Sequence, residues 1–190
     1  MEPAPRKQMR RRELSRDARF ITFSCEGRLP LLRSDRAAAL FVECLYEVRA
    51  EHGFGLLAWV VMPEHVHLIA RPAATRSLGS SLRSIKSRFA KRLIANWSIE
   101  APRAIDRLRG RRGAPRVWLA GGGFDRSIRD HSELTRELQY IHRNPAERGL
   151  AKDPHDWRWS SLHWWARSPH CEWECDEPID PGWRKWCGYV

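Results

Sequence analysis

His65 and His67 stand two apart in the string MPEHVHLIARP, with Val66 between them. A strand has a side-chain period of two, so both imidazoles project from one face and Val66 from the other. Two imidazoles side by side on a rigid sheet form a bidentate metal site. Two hydrogen-bonded or exposed histidines would look the same, so a second group has to decide. Tyr140 and Asn144 supply it. They lie four apart in ELTRELQYIHRNP, and positions i and i+4 share one face of a helix. The Asn144 carboxamide oxygen can then give a metal a third ligand, and the Tyr140 hydroxyl can reach a phosphate bound there. The plainer alternatives are a core aromatic at 140 and a helix C-cap at 144 ahead of Pro145. If the set acts together, its chemistry is attack of a phenolic oxygen on phosphorus, giving a covalent phosphotyrosine and a free hydroxyl.

The elements that must position these residues are legible along the chain. RFITFSC (19–25) alternates aromatic and β-branched residues and reads as a strand. Ser34 or Asp35 can cap a helix over 36–52, where Leu40, Phe41, Cys44, Leu45 and Val48 recur at helical spacing and Gly53 ends the run. GFGLLAWVVM reads as a buried strand, Pro63 and Glu64 as a tight turn, and HVHLIARP as the returning strand. A second helix is expected over 77–97, with Leu78, Leu82, Ile85, Phe89 and Leu93 buried. The Arg- and Gly-rich stretch 101–116 reads as a loop. Val117–Leu119 and FDRSIRD read as extended, interrupted by Gly121, Gly122 and Gly123. Ser132 reads as the cap of a last helix that Pro145 breaks. The order β-α-β-β-α-β plus a helix predicts an α+β, ferredoxin-like split βαβ sandwich: one antiparallel sheet with two helices on one face.

Composition narrows the function classes. The 190-residue chain is 42% hydrophobic with a formal net charge of +11. It is therefore globular rather than disordered, and the charge suggests a polyanionic partner, usually nucleic acid. No stretch approaches the ~20 apolar residues of a membrane helix, so no membrane is expected as partner. The basic N-terminus leads into no apolar region, so it does not read as a secretory signal. Five irregularly spaced cysteines argue against a disulfide framework and fit a reducing, cytoplasmic setting. Cys171, Cys175, Cys187 and His170 fit no common zinc module. The polar face of the second helix (Arg83, Lys86, Arg88, Lys91, Arg92) and the loop arginines (Arg107, Arg109, Arg111, Arg112) are candidates to hold a DNA backbone. A solvated helix face is the alternative. Seven tryptophans lie between 157 and 186. They could stack bases, but packing is the preferred reading.

Two stretches carry a family resemblance. WVVMPEHVHLIARP resembles the HUH motif (His, hydrophobic, His) of the IS200-like single-tyrosine transposases. LTRELQYIHRNPAERGLAKDPHDWRWSSL resembles that family's tyrosine helix and the segment after it. ITFSCEGRLPLL, SLRSIKSRFAKRL and VWLAGGGFDRSIRD resemble its first strand, second helix and fourth strand, so the likeness runs from Arg19 to Leu162. Within the family the chain looks nearest to the REP-associated tyrosine transposases. The triple glycine and the long Arg-rich insertion depart from many relatives; the glycines could loosen the strand or let DNA approach.

The resemblance implies a metal-dependent endonuclease and strand transferase acting on single-stranded or hairpin DNA. Tyr140 would be the nucleophile, with a 5′-phosphotyrosine and a free 3′-OH; His65, His67 and Asn144 would hold Mg²⁺ or Mn²⁺. The protein would be a monomer or homodimer. Tyr46 and Tyr189 have no partner motif, so a two-tyrosine HUH enzyme is not expected. The domain plan is a basic arm (1–18), the transposase domain (19–150) and a Trp-rich tail (151–190) wrapping it. The rivals are a binding module of the same fold without cleavage, a phosphodiesterase using water, and a rolling-circle or relaxase-type nuclease.

Overall fold

The computed structural model describes residues 17–109, 113–121, 123–169 and 171–178, with Arg107 described in its backbone only. The arm up to residue 16, Arg111, Arg112, Gly122, His170, Trp183, Trp186, Cys187 and Tyr189 lie outside them.

The strands are β1 (Arg19–Ser24), β2 (Gly55–Val61), β3 (His65–Arg71) and β4 (Phe124–Ser127). They form one sheet in the order β2-β3-β1-β4, every neighbouring pair antiparallel. This is the split-βαβ arrangement that the element order predicts. Helix α1 (Asp35–His52) starts at Ser34, whose hydroxyl accepts from the Ala37 N–H at 3.2 Å, and stops at Gly53, whose φ of 68° favours a residue without Cβ. Helix α2 (Leu78–Glu100) starts the same way at Ser77.

The sheet is buried on both faces. On one, Ile21, Phe23, Trp59, Val66 and Leu68 pack against Phe41 and Leu45 of α1 and Leu82, Ile85 and Phe89 of α2. On the other, Phe20, Val60 and Ile69 pack against Leu134, Leu138 and Ile141 of α4 (His131–Glu147) and Trp165 of α5 (Leu162–Trp165). Double burial is why β2 reads as an unbroken apolar run rather than an alternating one. A register shift between Leu56 and Ala58 puts both Leu57 and Ala58 on the α4 face.

Three local expectations change. The predicted 101–116 loop contains α3 (Pro102–Leu108). Proline is pre-set for a first helical turn, and Ile105 and Leu108, three apart, are both buried. The last helix is capped by Asp130, which accepts from the Glu133 N–H at 2.8 Å, and not by Ser132. Nor does Pro145 break it: α4 runs to Glu147. Proline forfeits only its own N–H bond there, and the Arg148 N–H still reaches the Asn144 carbonyl at 3.1 Å.

Among the described residues, parts of the segment after Ala151 run along the outer edge of β2. The Val61 N–H donates to the Trp159 carbonyl, the Ser161 N–H to the Trp59 carbonyl, and the Asp176 N–H to the Leu56 carbonyl. An open strand edge is thereby covered. The indole N–H groups of Trp157 and Trp165 donate to the carbonyls of Val61 and Leu57, and that of Trp159 to the Asp35 carboxylate. These three tryptophans are packing residues. Gly123 (φ +86°) marks a close approach of the chain to itself: a Cβ there would fall 1.9 Å from the Thr22 carbonyl oxygen.

Candidate active site

His65 and His67 sit on β3 with their side chains toward α4. Their Nε2 atoms face each other at 2.9 Å. The other nitrogen of each ring is engaged. His65 Nδ1 lies 3.0 Å from Glu64 Oε1, and His67 Nδ1 lies 2.7 Å from Thr22 Oγ1, its cross-strand neighbour on β1. At His65 a carboxylate beside Nδ1 favours the proton there and leaves Nε2 to accept across the 2.9 Å contact, the arrangement typical behind metal-bound histidines. Burial lowers the pKa of both rings, that of His67 to about 3, with the positive charges of His65 and Arg148 adding to the effect there. Glu64 opposes the shift at His65. Both imidazoles are thus neutral at pH 7, the form that ligates cations.

Helix α4 supplies the facing stripe, one residue per turn. Tyr140 sets its ring 5.4 Å from that of His67 and 5.9 Å from Phe20, and is 42% exposed. Arg148, two turns later, donates to Glu64 and lies 3.4 Å from His65 Nδ1. Asn144 stands between them on the same stripe, 5% exposed. Its Oδ1 is buried and accepts no hydrogen bond among the described residues. An unsatisfied buried carboxamide oxygen costs roughly 1–3 kcal/mol, and a cation is one partner that would offset that cost. Two imidazole lone pairs and this oxygen form a donor set that fits a divalent ion of the Mn²⁺ or Mg²⁺ kind. Among the described residues no cluster of three or more His, Cys, Asp or Glu offers a competing site.

The predicted DNA-binding residues are spread differently. Helix α2 lies across the sheet from Tyr140. There Arg88 donates to Glu51 at 2.7 Å and to Glu47 at 3.0 Å, and Arg92 to Glu47 at 2.9 Å. The Lys86 ammonium sits 5.5 Å from the Phe23 ring centre and 5.7 Å from that of Trp118. Arg83 and Lys91 are exposed. Arg109 lies 3.3 Å from Asp106.

Comparison with known proteins finds a family likeness over part of the chain. Residues 19–103 match the family model for IS200-like transposases. Over those residues the chain is similar to that family. A REP-associated tyrosine transposase of Escherichia coli (strain K12) is 29% identical over 122 residues, which cover 63% of this chain and 61% of the relative's length. A Haemophilus influenzae protein is 26% identical over 120 residues, covering 62% of this chain and 65% of its own. Among solved structures, a REP-associated tyrosine transposase bound to a REP hairpin superposes with a TM-score of 0.67 at 23% identity, covering 93% of this chain and 96% of the other. That likeness establishes a shared fold.

Spacing could not show Thr22, Glu64 as a ring-orienting group, or Arg148. Thr22 and His67 are 45 residues apart, Glu64 and Arg148 84 apart. A local signal existed only for Glu64, which precedes His65 directly.

Proposed function

We propose that the protein is a single-tyrosine DNA nuclease and strand transferase acting on single-stranded DNA at hairpins or palindromic repeats. The observation that carries the reading is the juxtaposition at α4. An exposed tyrosine hydroxyl-bearing ring lies against a buried pair of neutral imidazoles, one turn from a carboxamide oxygen that lacks a partner. His65, His67 and Asn144 would hold Mg²⁺ or Mn²⁺, which would withdraw charge from a non-bridging phosphate oxygen. Thr22 and Glu64 fix the rings so that both Nε2 atoms converge. Arg148 neutralises Glu64, which keeps that carboxylate turned to His65 rather than to the phosphate. Tyr140 gives up its phenolic proton and attacks phosphorus; the new O–P bond replaces the P–O3′ bond, and the leaving O3′ takes up a proton, so the proton count is unchanged. The ester conserves the bond energy, so the step runs backwards and strands rejoin without ATP.

The exposed cations of α2, Arg83 and Lys91, are proposed as backbone contacts for duplex beyond the cut. The relative's structure with a REP hairpin supports a hairpin as substrate.

The test uses labelled hairpin oligonucleotides from palindromes flanking the gene, with Mn²⁺ or Mg²⁺, resolved on a denaturing protein gel. A metal-dependent covalent band is expected, lost in Tyr140→Phe and His65→Ala. Cleavage that survives Tyr140→Phe would mean water is the nucleophile. A gel shift with no adduct would make the protein a binding module of this fold.

A further inference from the structure

Five large apolar side chains stand exposed among the described residues, and two of them, Tyr140 and Phe124, are aromatic. Both rest edge-on against one ring, Phe20, at 5.9 and 6.0 Å between centroids. These two steps keep Phe124 within about 12 Å of Tyr140. Phe124 opens β4 opposite Thr22 and so shares the sheet face that holds His67. It is 50% exposed, although the β1 backbone fixes its position and Phe20 fixes its tilt. Arg126 lies over Phe20 at 5.9 Å, but its guanidinium is paired with Glu133 and Glu137 of α4, so it braces the aromatic group. The result is a rigid, half-bare π-face beside the nucleophile, on a chain of net charge +11.

We propose that Phe124 is a stacking platform for a nucleobase next to the scissile phosphate. This rests on the reading of Tyr140 above. A nucleobase is the occupant that this surface suits. Stacking needs only a π-face, is tolerant of base identity, and accounts for about 1–3 kcal/mol per base in single-strand binding sites. Arg126, the cation lying over Phe20, is already paired with two carboxylates, so the exposed π-face of Phe124 offers a base more than it offers a backbone phosphate. The base held there positions its own phosphate for Tyr140, which would make Phe124 a binding residue that sets where the cut falls.

The experiment uses the full chain carrying Tyr140→Phe, with hairpin oligonucleotides bearing 2-aminopurine at each position of the single-stranded flank in turn. A fluorescence change is expected at one or two positions beside the cleaved bond, lost in Phe124→Leu, which keeps an apolar contact with Phe20 but has no π-face. Hairpin affinity should fall about tenfold or more in Phe124→Leu and Phe124→Ala, and stay near the parent value in Phe124→Trp. With an abasic site at the signalling position, parent and variants should bind alike. Equal affinity of Phe124→Leu and parent, or no position-specific signal, overturns the platform even if unmodified protein forms its Tyr140 adduct. A position-specific signal from a protein that forms no adduct supports the platform and sinks the cleavage reading instead.

Discussion

The two faces of the sheet are built from the same strands and put to opposite uses. Under α1 and α2 the core is mainly apolar, its buried His52 and Ser81 satisfying each other at 3.0 Å, and Arg88 and Arg92 are tied to the α1 carboxylates. Under α4 the apolar core covers only part of the face. It gives way to His65, His67 and Asn144, all buried and polar. A dry face stabilises through packed area. A face holding neutral imidazoles and an unsatisfied oxygen gives up part of that stability. One sheet thus separates a packed face from a face that buries polar groups.

The comparison breaks most sharply at Tyr140. Tyr140→Phe should remove the covalent adduct entirely while shifting stability by no more than about 0.5 kcal/mol, since the side chain is exposed; adduct gels and urea melts read the two. Phe89→Ala, on the other face, should do the reverse. A fully buried aromatic removed from the α2 core costs about 3–5 kcal/mol, with adduct yield per folded molecule unchanged. If Phe89→Ala loses the chemistry while still folded, the faces are not separable.

Glu64→Gln should lower Mn²⁺ affinity about 10- to 100-fold in calorimetric titration, because the group that orients His65 loses its charge. An unchanged affinity would show that the carboxylate does not act through the ring.

Acid should find the α4 face first. Burial holds the folded-state pKa of His67 and of His142, which is bonded to Ser161 Oγ at 2.9 Å, at about 3, below the ~6.5 of the unfolded chain. As pH falls below about 6.5 the unfolded state takes up protons that the folded state refuses. The stability held by neutral rings is therefore present above that pH and is lost progressively toward pH 3. The slope should approach about 1.4 kcal/mol per pH unit for each ring. Urea midpoints of the metal-free protein at pH 7, 6 and 5 measure it, and a flat profile would contradict the burial of those rings.

The smallest effect belongs to α2. Arg83→Ala and Lys91→Ala should each lower the salt dependence of hairpin binding by about one unit of slope, one phosphate apiece. Arg88→Ala, already paired to Glu47 and Glu51, should change the slope less. Equal slopes in all three would make the face a solvated surface.

Much of this molecule is written in local periodicity. The alternation through His65–Val66–His67 determines that both imidazoles share a face, and the four-residue step from Tyr140 to Asn144 does the same for α4. The apolar spacing in α1 and α2, with Ser34, Gly53 and Ser77 at their ends, determines the helices and hence the order of the sheet. Such patterns depend only on the geometry of one strand or one helix, so a single sequence displays them. Pro145 and the Arg-rich stretch misled at their edges, because helix ends depend on which few N–H groups find partners.

What the tertiary structure decided is which distant residues meet. Cross-strand register put Thr22 beside His67 and Phe124 beside Thr22. The docking of α4 brought Arg148 to Glu64 and turned Tyr140 toward His67. It also sent the basic face of α2 to the far side of the sheet, where two of its arginines are held by α1. None of these pairings has a period that a sequence could show. They follow from how whole elements pack, and packing is settled by the summed burial of two faces rather than by any one spacing.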